Sequence, residues 1–224
     1  MVHEIKNYIK KRIFIDTLII SVCVLLIGFS AGFLLENYRT KLVERDYKLS
    51  EIDMLDLRLQ QIYYSNFLDE SSCDKAIQEN LIFGDKIYLE GLKIEKYEEA
   101  NQISESILLD KKKYVLLKEE FWANSVLLRE KCNATFHTLI YFYSQEDSYK
   151  IKAKQSAISL FLKEIKIEYG NKVILIPIAR DLGLSSINLV ISANNVTEFP
   201  SILIDEKVKL SGKNIFTETK NYLK

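Results

Sequence analysis

The 224-residue sequence predicts a chain in three parts: an apolar anchor helix, an α-helical hairpin or small bundle, and a C-terminal α/β domain of order β-α-β-α-β-β-α. Three observations predict it. An uncharged run extends from Thr17 to Leu35, long enough at the helical rise to cross about 28 Å of hydrocarbon. Between Tyr38 and Lys131 there is no proline, glycine occurs only at Gly84 and Gly91, and apolar residues recur at three- and four-residue steps. After Asn133 short β-branched and aromatic runs alternate with amphipathic stretches and turn residues. The predicted division is a cytoplasmic N-terminal segment (1–12), a transmembrane helix in contact with lipid (13–36), a helical spacer (37–132) and the α/β domain (133–224).

Lys10, Lys11 and Arg12 stop the apolar run on one side, and Glu36, Arg39 and Lys41 on the other. A cleaved signal peptide is the rival reading, with Ser30-Ala31-Gly32 as its nearest small-residue site. Phe33, Leu34 and Leu35 prolong the run past that site and favour a retained anchor. Basic residues are balanced across the segment, but the N-terminal cluster is denser and abuts the membrane. This favours a cytoplasmic N-terminus and a C-terminal domain outside. Gly28 and Gly32 form a G-x-x-x-G pair that would allow close helix approach in a homodimer; glycine is also simply common in membrane helices. Cys23 is mid-membrane filler.

In the spacer, residues 39–67 carry Leu42, Tyr47, Leu49, Ile52, Leu55, Leu59, Ile62 and Tyr63 on one face, a stripe of the kind expected in a core. Asp69-Glu70-Ser71-Ser72 interrupts the pattern, and Ser71 or Ser72 is the expected N-cap of a second helix to about Tyr97. Asn101 to Ser106 is the next break. A third helix to Lys131 is expected to bury Leu108, Val115, Leu116, Trp122 and Val126 or Leu127. Lys111-Lys112-Lys113 and the run from Glu95 to Glu99 read as solvated helix faces. Cys73 and Cys132 flank the second and third helices. Outside the cytoplasm they can close a disulfide contributing roughly 2 to 4 kcal/mol; otherwise they are two unrelated thiols.

In the C-terminal part, His137–Tyr143 reads as a strand, residues 147–169 as a helix ended by Gly170-Asn171, and Lys172–Ile178 as a strand buried on both faces. Ser185–Ala193 follows as a helix, Pro200–Ile204 and Glu206–Leu210 as a hairpin, and Asn214–Leu223 as a closing helix. The stretch Asn194-Asn195-Val196-Thr197-Glu198-Phe199-Pro200-Ser201-Ile202-Leu203-Ile204-Asp205, followed by a charged hairpin and Gly212, resembles the C-terminal half of the thioredoxin family. There a cis-proline opens a strand that leads to a hairpin, a glycine and the last helix. Asp181 falls where that family often carries an Asp. The whole plan is similar to archaeal membrane-anchored thioredoxin-like proteins, in which a helical spacer precedes the domain.

The chain departs from that family where its chemistry lies. Ser148 and Ile151 occupy the positions that the resemblance assigns to the two cysteines, and no cysteine follows Cys132. Without a low-pKa thiolate and a resolving thiol there is no dithiol exchange at this loop. The resemblance then implies a non-redox binding or assembly module, not an enzyme. Its peptide groove would comprise Ser148, Tyr149, Phe199 and Pro200 with the loop from Glu146. Two plainer readings stand beside it: Pro200 shapes the core, and Ser148 or Asp147 caps the helix. The alternative function is accessory thiol–disulfide exchange at Cys73 and Cys132.

The remaining composition excludes other classes. Thirty-one basic residues balance 31 acidic ones, which argues against nucleic-acid binding. Two histidines and three scattered cysteines leave too few ligands for zinc or an iron–sulfur cluster, and no cofactor is expected. His137 has no serine motif near it, and the nucleophile-elbow and phosphate-loop motifs are absent. Asn133-Ala134-Thr135 and Asn195-Val196-Thr197 are glycosylation sequons, usable only outside the cytoplasm.

Overall fold

A computed structural model describes residues 2–99, 105–145 and 147–223, and divides the chain into two compact units, Met1–Asp53 and Met54–Lys224. No proline occurs before Pro177, so no missing N–H interrupts the first helix where it leaves the apolar segment. α1 runs without interruption over Val2–Asn66, the first spacer stretch continuing out of the apolar segment. Within it Phe14–Tyr38 is long and apolar enough to cross a membrane, and none of that stretch is buried inside the protein. Among the described residues nothing lies within 4 Å of where a Cβ on Gly28 or Gly32 would stand.

The apolar stripe expected along residues 39–67 is not a core face. In the first unit Leu49 and Ile52 are exposed, and in the second Leu55, Leu59, Ile62 and Tyr63 are too. The side chains of Leu42 and Tyr47 lie outside the described residues. The helix instead buries Leu57 and Tyr64, because the part in the second unit packs through that edge. Asn124 Nδ2 donates to Leu57 O at 3.0 Å and Arg58 faces Glu120 at 3.6 Å.

Asp69, not Ser71 or Ser72, caps the next turn, its Oδ1 accepting from Ser72 N at 3.0 Å. α2 (Cys73–Glu99) and α3 (Glu105–Cys132) form the expected hairpin; most of the break between them falls outside the described residues. Contacts step in opposite directions along the two helices. Cys73 meets Cys132, with Cα atoms 5.5 Å apart and sulfurs at bonding distance, and Asn80 Nδ2 donates to Ser125 Oγ at 2.9 Å. The two glycines mark the closest approaches. A Cβ on Gly84 would lie 2.8 Å from Phe121 Cζ, and one on Gly91 would lie 2.9 Å from Tyr114 Cζ.

α3 buries Val115, Leu117, Phe121, Trp122 and Leu128. The predicted Leu108 is 44% exposed and Leu116 is only half-buried. The buried surface extends round this helix because α2 lies on one side and the sheet on the other. The sheet has strand order β2-β1-β3-β4, built from β1 (His137–Tyr143), β2 (Val173–Ala179), β3 (Ser201–Ile204) and β4 (Val208–Ser211). β1 and β2 pair in parallel from His137↔Val173 to Tyr143↔Ala179, whereas β1–β3 and β3–β4 are antiparallel. α4 (Tyr149–Tyr169), α5 (Ser185–Ala193) and α6 (Asn214–Tyr222) complete the expected order.

The period-2 alternation of β1 separates two cores. Ile140 and Phe142 join the cluster containing α3 and α5, and Leu139 and Tyr141 join that of α4 and α6. Both sheet faces are therefore covered, which explains why β2 and β3 are almost wholly apolar, whereas the edge strand β4 keeps an exposed Lys209. Pro177 lacks an N–H, and it sits on the edge strand β2, where a missing ladder donor is tolerated.

Candidate functional site

The ends of β1 and β2 lie side by side because the two strands are parallel, so the residues that follow them converge. Arg180 N donates to Tyr143 O at 2.9 Å, and Arg180 Nε donates to Ser144 Oγ at 2.7 Å. Asp181 Oδ1 accepts from Gln145 N at 2.9 Å, joining the two loops a second time. Lys111 reaches in from α3, its Nζ donating to Gln145 Oε1 at 3.1 Å. Burial holds the Lys111 ammonium pKa below its ordinary range, and Asp181 opposes that shift. Lys111, Lys112 and Lys113 are thus half-buried rather than a solvated face.

Phe199 leads into this cluster from the other side. The Arg180 guanidinium lies 4.4 Å over its ring, a cation–π geometry. Phe199–Pro200 is a cis peptide bond; Pro200 is buried and Phe199 half-buried. Ser148 takes the N-cap position of α4 but its side chain makes no capping bond, and Asp147 Oδ1 accepts from Ser148 N at 2.8 Å. Tyr149 is 90% exposed. Among the described residues no hydrogen bond or ring contact joins Ser148 or Tyr149 to Phe199 or Pro200, and Glu146 lies outside the described residues. Arg180, Ser144 and Gln145 escaped the sequence reading because only the parallel pairing brings them together. The one local signal was a charged Arg-Asp pair ending an apolar strand.

A second polar cluster lies where α3 meets the β3–β4 turn. Arg129 Nη1 donates to Thr138 Oγ1 at 2.8 Å and pairs with Asp205 Oδ1 at 2.7 Å, while Arg129 Nη2 pairs with Glu206. Glu206 Oε1 accepts from Trp122 Nε1 at 2.6 Å and from Thr138 Oγ1 at 2.8 Å. His137 Nδ1 is 2.6 Å from Asp205 Oδ2. Each acidic oxygen has a partner, so the cluster fastens the helical hairpin to the sheet and offers no open coordination position. Among the described residues no group of three or more His, Cys, Asp or Glu side chains could hold a metal ion.

No protein-family model, no curated protein and no solved structure matches the chain.

Proposed function

We propose that the protein is a single-pass membrane protein with a cytoplasmic N-terminus and a non-redox, thioredoxin-like binding module outside the membrane. The observation that carries this reading is the element order after Asn133, β-α-β-α-β-β-α, with a proline opening β3. That order supports the resemblance, and the lack of any cysteine after Cys132 removes its redox chemistry. The module docks an extended client segment against Phe199, Pro200 and the exposed start of α4 at Ser148 and Tyr149. Among the described residues the backbone of Thr197, Glu198 and Phe199 takes no hydrogen-bond partner, which leaves donors and acceptors for a β-augmenting peptide. The exposed apolar anchor segment supports membrane insertion, with Gly28 and Gly32 as a face for pairing with a second copy.

Photo-crosslinking tests the groove. With p-benzoylphenylalanine placed at Tyr149 or Phe199 in the full-length protein in its native membrane, mass spectrometry is expected to find adducts recurring on extended segments of one client. Capture of no such segment removes the groove. Protease added to intact cells is expected to digest residues 54–224; digestion only after lysis reverses the orientation.

A further inference from the structure

Beside the edge strand β2, residues of α2, α3, β1 and α4 line an open cleft of about 1070 Å³, large enough for a small organic molecule. Its walls are aromatic: Tyr88 comes from α2, Tyr114 from α3, and Tyr141 and Tyr143 from β1. Gly91 belongs to the same lining and gives Tyr114 the space it occupies against α2. At the wall nearest the sheet edge is Lys118, only 3% exposed. Its Nζ donates to the carbonyl of Pro177 and lies 4.3 Å from the centre of the Tyr114 ring.

An ammonium so placed is incompletely compensated. A lysine has three donors, and a carbonyl and a ring face supply no full negative charge. Among the described residues no carboxylate pairs with it. The lining also carries, among the described residues, Lys111, whose Nζ donates to Gln145 Oε1, together with Lys152 and Glu95. A buried ammonium at Lys118 and four phenol rings match a ligand with an anionic head and an aromatic or branched apolar body.

We propose that the cleft binds a small amphipathic carboxylate, its head paired with Lys118 and its body laid against Tyr88, Tyr114 and Tyr141. Burial lowers the Lys118 pKa from 10.5 to about 7 in the empty cleft. A bound carboxylate favours the charged form and raises it again. Binding above pH 7 therefore takes up a proton, and affinity falls as pH rises through the empty-cleft value of about 7. Of the other groups that line the cleft, Lys111 shares the downward direction, opposed by Asp181, so the variant at Lys118 assigns the proton. Burial raises the phenols of Tyr114, Tyr141 and Tyr143, so they remain protonated donors near neutrality. Glu95 lies across the cleft on α2, Lys111 on α3 and Lys152 on α4. This inference does not rest on peptide docking, and its residues can be varied without touching Phe199 or Pro200.

The test uses the full-length protein in lipid nanodiscs, with empty nanodiscs as control and two short probes, 4-phenylbutyrate and its neutral amide. Calorimetric titration is expected to show the carboxylate binding about tenfold tighter than the amide at neutral pH, the preference one charge pair at such a site confers. Repeating the titration near pH 8 in buffers of different ionisation enthalpy is expected to show uptake approaching one proton per carboxylate bound. Lys118→Met is expected to abolish both the preference and the uptake. Equal binding of the two probes, no binding of either, or a preference that survives Lys118→Met overturns the proposal and leaves Lys118 as a cap on the Pro177 carbonyl. Where Lys118→Met fails to fold, Lys118→Gln carries the same comparison, and equal binding of the two probes by the unaltered protein overturns the proposal by itself. Failure of client crosslinking at Tyr149 or Phe199 leaves these readouts unmoved.

Discussion

Replacing Cys73 and Cys132 together by serine is expected to lower the unfolding free energy of the second unit by about 4 kcal/mol, the chain-entropy value for a loop of this length. The two residues are 59 positions apart and close a loop containing nearly all of α2 and α3. Opening it returns freedom to an unfolded segment whose folded form is one antiparallel hairpin. Denaturant unfolding of the full-length protein in detergent, with and without the two substitutions, measures the effect. A change below about 1 kcal/mol would mean that the crosslink adds little to the stability of the hairpin. Maleimide trapping decides between the structural and exchange roles. A pair that stays blocked until strong reductant is added is structural. A pair that cycles with glutathione supports accessory thiol–disulfide chemistry instead.

Arg129→Met is expected to cost about 3 kcal/mol, because it strands two partly buried carboxylates. The guanidinium pairs with Asp205 and Glu206 and donates to Thr138. Those acids form the β3–β4 turn with φ of 48° and 59°, in the left-handed region that disfavours residues with a Cβ by roughly 1 kcal/mol each. The side-chain bonds from Arg129, Trp122 and Thr138 hold the turn in that conformation. Unfolding of Arg129→Met, Glu206→Gln and the double variant closes a cycle, and a coupling above about 1 kcal/mol is expected. Additive losses would show that water replaces the guanidinium without cost and that the hairpin is fastened to the sheet by apolar packing alone.

Much of the architecture was legible from local pattern. β1 and α5 fall on the predicted spans, and the other elements after Asn133 lie within a few residues of theirs. Alternation, helical spacing and turn residues act over a few positions, so reading them needs no knowledge of the fold. The N-cap at Asp69 was missed because several adjacent side chains could bond the same N–H groups, and only the backbone turn chooses among them. The buried face of α3 was read only in part, with Val115 and Trp122 buried as expected but Leu108 exposed, for a different reason. A helix enclosed on two sides loses the simple apolar stripe, and Lys118, Asn124 and Ser125 are buried among its hydrophobic residues. Lys118 is the sharpest case, since it stands next to Glu119 and Glu120 in the chain and is buried only because a sheet edge lies against it.

By itself the sequence determined the presence of a membrane-length apolar helix, the order of elements after Asn133 and the absence of sulfur from the C-terminal part. Each of these follows from composition or from short-range period. Only the tertiary structure decided that Cys73 meets Cys132, that Arg180 stacks on Phe199, and that Lys118 lies against Pro177 in a tyrosine-walled cleft. These pairings join residues far apart in the chain, and they form because packing both faces of one sheet leaves each helix a single position to occupy.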